Sequence, residues 1–183
     1  MIKIIAFDLV GVLVKENNIN LTEKEEKIEK LFGSNINDAE YLFKARQIIE
    51  KDSIIMRMTE DVISKIYTVK EENLFKKIKE KYSNIKIIIV TNHVSFIRNY
   101  IGEAFGVDYL DDLIISAEIH KIKPNADFYE HLLNKYNIKP EELLFLDDNQ
   151  DIVDVASSLG INAIKVEETD NLYKLVSNYM NSD

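Results

Sequence analysis

A chain of 183 residues, 46% apolar and 30% charged, suits one compact domain with a modest insertion and is short for two full domains. Its formal net charge of −9 argues against non-specific nucleic-acid binding, and no stretch approaches the run of about 20 apolar residues that a membrane span needs. The lack of cysteine excludes disulfides and thiolate metal sites; with an N-terminus apolar for too few residues to be a secretory signal, a cytoplasmic location is expected.

In chain order, four short apolar runs rich in β-branched residues read as buried parallel strands, at residues 3–7, 86–90, 113–116 and 143–146, with a weaker fifth at 162–166. Between the later strands, apolar spacing predicts helices at 95–105, 126–136, 151–159 and 169–179. Strands alternating with helices imply an α/β domain, a Rossmann-like parallel sheet flanked by helices. The long gap after the first strand carries four helical patterns, at 23–31, 39–50, 59–67 and 71–82, and no strand is expected there. Residues 15–83 therefore read as a small all-helical subdomain inserted into a core of residues 1–14 and 84–183. Such an insertion is either extra packing on the sheet or a lid over the strand ends, where ligands of open α/β sheets bind.

The strand ends carry the chemistry. The first run ends at Asp8, the second at Thr91-Asn92, the fourth at Asp147-Asp148, and Lys123 follows the third. Parallel strands put all their carboxyl ends on one edge, so these residues can converge. Three carboxylates in one place repel one another, and a hard divalent cation with oxygen ligands relieves that repulsion; Mg²⁺ fits best, because it binds through one or two carboxylates, waters and substrate phosphate. A carboxylate with one free oxygen can attack phosphorus, while a hydroxyl and an ammonium hold the phosphoryl oxygens.

The run Phe7-Asp8-Leu9-Val10-Gly11-Val12-Leu13, then Val90-Thr91-Asn92, Lys121-Ile122-Lys123-Pro124-Asn125 and Leu144-Phe145-Leu146-Asp147-Asp148, resembles in order and spacing the four motifs of the haloacid dehalogenase-like hydrolase superfamily. The resemblance implies Asp8 as nucleophile and Mg²⁺ ligand, with the Val10 carbonyl and Asp148 as further ligands and Asp147 contacting metal-bound water. It implies phosphoryl binding by Thr91 and by backbone N–H groups near Leu9 and Asn92, and charge balance by Lys123. The insertion would be the superfamily's helical cap, and the partner a small phosphorylated metabolite, with no nucleic acid or membrane involved and the protein a monomer or homodimer.

One position departs from the pattern. Most phosphatases of the superfamily carry an aspartate two residues after the nucleophile as general acid and base, and here Val10 stands there. Three readings follow: a phosphatase whose leaving group needs little protonation, a catalytically weak protein that binds a phosphometabolite or partner, and a 2-haloacid dehalogenase, which the paired acids Asp147-Asp148 disfavour. His93 adjoins the second motif, and both a substrate contact and a partly exposed loop position are open to it. Arg46 and Arg57 are candidates to reach a second anionic group from the cap.

Overall fold

Ile4–Phe7 forms β1, the centre of the main sheet, because its residues Ile-Ile-Ala-Phe are buried on both faces. A computed structural model describes residues 1–33, 37–106 and 108–182. On one side of β1 lie β4 (Lys86–Thr91) and then β5 (Asp112–Ile115); on the other lie β6 (Leu143–Asp147) and then β7 (Asn162–Lys165). All neighbours in this five-stranded sheet are parallel. The chain first builds outwards on one side and then crosses to the other, so the strand order reverses beside β1, where a ligand crevice is expected.

Side chains alternate across the sheet. Ile5, Phe7, Ile87, Ile89, Leu144 and Leu146 belong to one buried cluster, and Ile4, Ala6, Ile88, Val90, Leu143 and Phe145 to the other. The second cluster is closed by Phe128, Tyr129 and Leu132 of α7 (Ala126–Tyr136) and by Ile152 and Ala156 of α8 (Gln150–Ser158). The first is closed by α4 (Leu74–Lys81), α5 (Ile97–Phe105) and α9 (Leu172–Ser182), and Phe75 of α4 packs its ring against both Phe7 and Phe105. A short helix, α6 (Ser116–Ile119), follows β5. Both faces being covered explains why the strands read as continuous apolar runs.

Of the four helices expected in the insertion, α1 (Glu23–Glu29), α2 (Asp38–Ala45) and α3 (Asp52–Ile66) build it, whereas the fourth, α4, packs on the sheet through Phe75. Thr22 and Glu25 cap α1 reciprocally, the Thr-x-x-Glu signature of a helix start. Ile28, Phe32, Tyr41, Ile55, Val62 and Ile63 form the core of the insertion, which runs continuously into that of the sheet.

The expectation of no strand in this segment is corrected. Val14–Glu16 (β2) and Tyr67–Val69 (β3) pair antiparallel as a two-stranded ribbon at the point where the chain leaves and re-enters the core. Each strand has three residues, of which Lys15, Glu16 and Thr68 are exposed, so the alternation is too short to separate from a loop or a helix end. Among the described residues, no helix is long and apolar enough to cross a membrane.

Candidate active site

Register sets the site. Phe7 is level with Ile89 of β4 and Leu146 of β6, so the next residue of each strand, Asp8, Val90 and Asp147, comes to the same edge. Lys123 arrives from the loop between α6 and α7. Its ammonium donates to Asp8 Oδ1 at 2.6 Å, to Asp147 Oδ2 at 2.7 Å and to the Val90 carbonyl at 3.2 Å, with the Phe145 ring 5.6 Å away. Asp8, Lys123 and Asp147 are all buried.

Asn92 holds that lysine in place. Its side-chain amide donates to the Lys123 carbonyl at 2.8 Å and its side-chain oxygen accepts from the Lys123 N–H at 3.0 Å. The clamp takes up the full side chain of Asn92, a function that motif reading did not give it. Thr91 ends β4 and is buried, and Leu9 follows Asp8 with no exposed surface. Val10 is half-buried beside Gly11.

Asp148 is the one exposed acid of the group. Ligand oxygens of Asp8, Asp147 and Asp148 lie within 4.8 Å of one another. Gly11 lets Asp148 come this close: a Cβ at Gly11 would stand 2.2 Å from Asp148 Oδ2, and the residue's φ of +85° is one that L side chains rarely adopt. Around it the loop folds back tightly, with the Leu13 and Val14 N–H groups both donating to the Leu9 carbonyl at 2.9 Å.

Helix capping does not account for these strand-end residues. Asn149, not an aspartate, caps α8, accepting from the Asp151 N–H at 2.9 Å. Asp147 has both oxygens engaged, since Oδ1 accepts from the Asn149 N–H at 3.0 Å while Oδ2 holds Lys123. Neither Thr91 nor Asn92 caps α5, which starts after Phe96 without a side-chain cap.

Charge at the site is unbalanced. Three carboxylates surround one ammonium, a deficit that one divalent cation makes good. The pKa directions follow. Burial pulls the Lys123 ammonium down, but Asp8 and Asp147 outweigh that and raise it. Burial raises the Asp8 carboxyl and Asp147 adds to the rise, against the lowering by Lys123. Burial, then Asp147, also raises Asp148. The donors are hard oxygens, so the residues present fit Mg²⁺.

His93 is buried rather than partly exposed, because the insertion covers it: Phe32, beyond α1, lies 5.2 Å from its ring, and Tyr67 of β3 lies across it. Its Nδ1 faces the Val94 carbonyl at 3.2 Å, which can only accept, so Nδ1 carries the proton and Nε2 accepts from the Tyr67 hydroxyl at 3.2 Å. Burial lowers its pKa to about 4. Further ties across the same seam are Ser95 N–H to Asp38 and Asn99 to Glu60, at 2.9 and 2.7 Å. Arg46 does not reach for a ligand: its guanidinium forks onto Asp52, both bonds 2.8 Å, on the surface. Arg57 is exposed on α3.

Sequence reading missed Lys70. It follows β3 and is half-buried, its N–H donating to the Leu13 carbonyl at 2.9 Å and its ammonium to the Gly11 carbonyl at 3.0 Å. A cleft of about 440 Å³ next to the acids is lined by Val10, Gly11, Lys15, Lys70, Asp148 and Lys165, among others.

Comparison with known proteins identifies the family and the fold. The family profile of haloacid dehalogenase-like hydrolases matches residues 2–160. A predicted HAD-like family hydrolase from Porphyromonas gingivalis superposes with a TM-score of 0.78 at 20% identity, over 100% of both chains. A HAD family enzyme from Bacteroides thetaiotaomicron, solved in complex with magnesium and inorganic phosphate, gives a TM-score of 0.73 at 17% identity, covering 96% of this chain and 99% of that one. The drimenol cyclase of Aspergillus calidoustus is 27% identical over 82 residues, 45% of this chain, and the match spans only 16% of that protein's length. At these identities the solved structures establish the shared α/β fold.

Proposed function

The chain belongs to the haloacid dehalogenase-like hydrolase family, and from that premise we propose that it is a Mg²⁺-dependent phosphomonoesterase acting on a small phosphorylated metabolite through an aspartyl-phosphate on Asp8. The observation that carries the reading is the setting of Asp8. One carboxylate oxygen is fixed by Lys123 at 2.6 Å, and the residue ends the central strand among three acids that one ammonium leaves under-neutralised. The magnesium and inorganic phosphate in the Bacteroides enzyme support the same assignment.

In this mechanism a carboxylate oxygen of Asp8 attacks phosphorus. A bond forms from that oxygen to phosphorus, the bond from phosphorus to the ester oxygen breaks, and the alcohol leaves as its anion or takes a proton from solvent. Water then attacks the aspartyl-phosphate, releasing phosphate and restoring the carboxylate. Lys123 keeps Asp8 oriented and offsets charge beside it; Thr91 donates its hydroxyl to a phosphoryl oxygen, and the backbone N–H groups of Leu9 and Asn92 take others. Asp8, the Val10 carbonyl and Asp148 would hold Mg²⁺, with Asp147 contacting it through water because its own oxygens are engaged. When bound, the ion supplies charge neutralisation at the transferring phosphoryl group.

Val10 decides the kind of leaving group. General acid–base catalysis is worth about 10²–10⁴-fold, and valine offers none of it. The favoured substrates are therefore those whose leaving group needs little protonation, such as acyl phosphates or sugar 1-phosphates, and Val10→Asp is expected to raise turnover of simple alkyl phosphates.

The test is phosphate release from a broad monoester panel, with and without Mg²⁺, using Asp8→Asn as control. Release that needs Mg²⁺ and falls by at least about 10³-fold in that variant is expected for an essential nucleophile. The same valine favours a second reading, a protein that binds a phosphometabolite without turning it over. Tight binding with no release would establish that reading, and metal-independent halide release would establish a dehalogenase instead.

A further inference from the structure

The ribbon that joins the insertion to the core has two unlike faces. Val14 and Tyr67 are buried, whereas Lys15 and Thr68, directly opposite each other in the ladder, are exposed. Lys70 is the first residue after β3. All three line one cleft, and Lys15 and Lys70 also line the adjoining cleft that reaches Val10, Gly11 and Asp148. Sharing Lys15 and Lys70, the two clefts lead from Asp148 out across the ribbon.

Two features of the lysines bear on what fills these clefts. Among the described residues, neither Lys15 nor Lys70 takes part in an ion pair, although the chain holds 32 acidic against 23 basic residues. Lys165, the third lysine of the cleft, is already paired with Glu167. Lys70 is also positioned. Its backbone is pinned to Leu13 and its ammonium rests on the Gly11 carbonyl at 3.0 Å, which leaves two of its three N–H donors unassigned one residue from Val10. Like charges lining one cleft repel, and an anion between them removes that cost. Acids border the two clefts too: Glu71 is paired with Lys77 and Glu167 with Lys165, Asp170 accepts from the Glu167 N–H at 2.8 Å, and Glu16 lies on the opposite face of the ribbon from Lys15. The remaining two, Asp148 and Glu168, form no ion pair among the described residues.

We propose that Lys15 and Lys70 form a subsite for a second anionic group, so that the substrate is a phosphomonoester bearing a carboxylate or a further phosphate on its leaving group. The proposal rests on the phosphatase reading for the orientation of the substrate: phosphoryl group at Asp8, leaving group over the ribbon. The recognition lies with the ribbon rather than with Arg46, whose fork Asp52 occupies.

The experiment uses inert ligands, so that it is independent of turnover. In the presence of Mg²⁺, calorimetry compares phosphonopropanoate with phosphonopropanamide, which differ only in the second anion. The carboxylate is expected to bind wild type about tenfold more tightly, the worth of one charge-assisted hydrogen bond. That ratio should fall towards one in Lys70→Met and part of the way in Lys15→Met, whose side chain is exposed and whose fold is not at risk. Equal affinities in wild type, a ratio unchanged in both variants, or binding of neither compound would each overturn the subsite. The phosphatase reading stands or falls separately, on phosphate release.

Discussion

The floor of the site and the ribbon at its mouth both carry lysine, and they use it in opposite ways. Lys123 is buried and its three N–H bonds are all taken, by Asp8, Asp147 and the Val90 carbonyl. Lys15 and Lys70 are exposed or half-buried and keep donors to spare. The floor is fixed by the register of three parallel strands, and the ribbon is six residues attached to a helical insertion. On the proposed reading, the groups that would meet the phosphoryl sit on the rigid part, and those that would meet the rest of the substrate sit on a short ribbon attached to it.

The contrast is broken most severely at Lys123. Lys123→Met leaves two buried carboxylates without their cation and is expected to destabilise the protein by about 3–5 kcal/mol, read from urea unfolding without metal, with Mg²⁺ restoring part of the loss. A cost under about 1 kcal/mol would show that the floor is not held by this ion cluster.

Acid tests the seam where floor and insertion meet. His93 has a pKa of about 4 folded, against about 6.5 unfolded, so on acidification the unfolded chain takes up the proton first. Its contribution is complete above pH 6.5, is lost as pH falls between those values and is flat below about 4, for a total of about 3 kcal/mol. Urea midpoints across this range should fall more steeply for wild type than for His93→Gln, whose side-chain oxygen can still accept from Tyr67. Identical slopes would remove His93 from the account.

The smallest expected effect sharpens the same point. Tyr67→Phe deprives His93 Nε2 of its donor and should cost about 1 kcal/mol. If the hydroxyl matters only for docking the insertion, the loss will appear in stability and leave Mg²⁺ affinity at the floor unaltered.

Much of the floor was legible in the chain, because strand ends in a parallel sheet are a position as well as a pattern. Asp8, Lys123, Asp147 and Asp148 could be brought together from four apolar runs and their punctuation, although the burial of Lys123 and the clamp by Asn92 could not. The seam and the ribbon were not legible, for a different reason. His93 gives no sign in its own segment that Phe32 and Tyr67 will cover it. Lys70 meets Gly11 across 59 residues of sequence, in a stretch whose alternation lasts three residues. Side chains placed by long-range closure leave little periodic trace.

That closure has one more consequence. The chain that departs for the insertion after Leu13 is hydrogen-bonded back to Leu13 at Lys70, through a bond of 2.9 Å. Everything between enters and exits through a single doorway, whose two posts stand together whatever the length of chain between them. Loop-closure entropy grows slowly with length, so segments of quite different size can be spliced between the same posts at small cost. The length of the insertion is thus decoupled from the register of the strands, while its inner face stays tied to the core at the His93 seam.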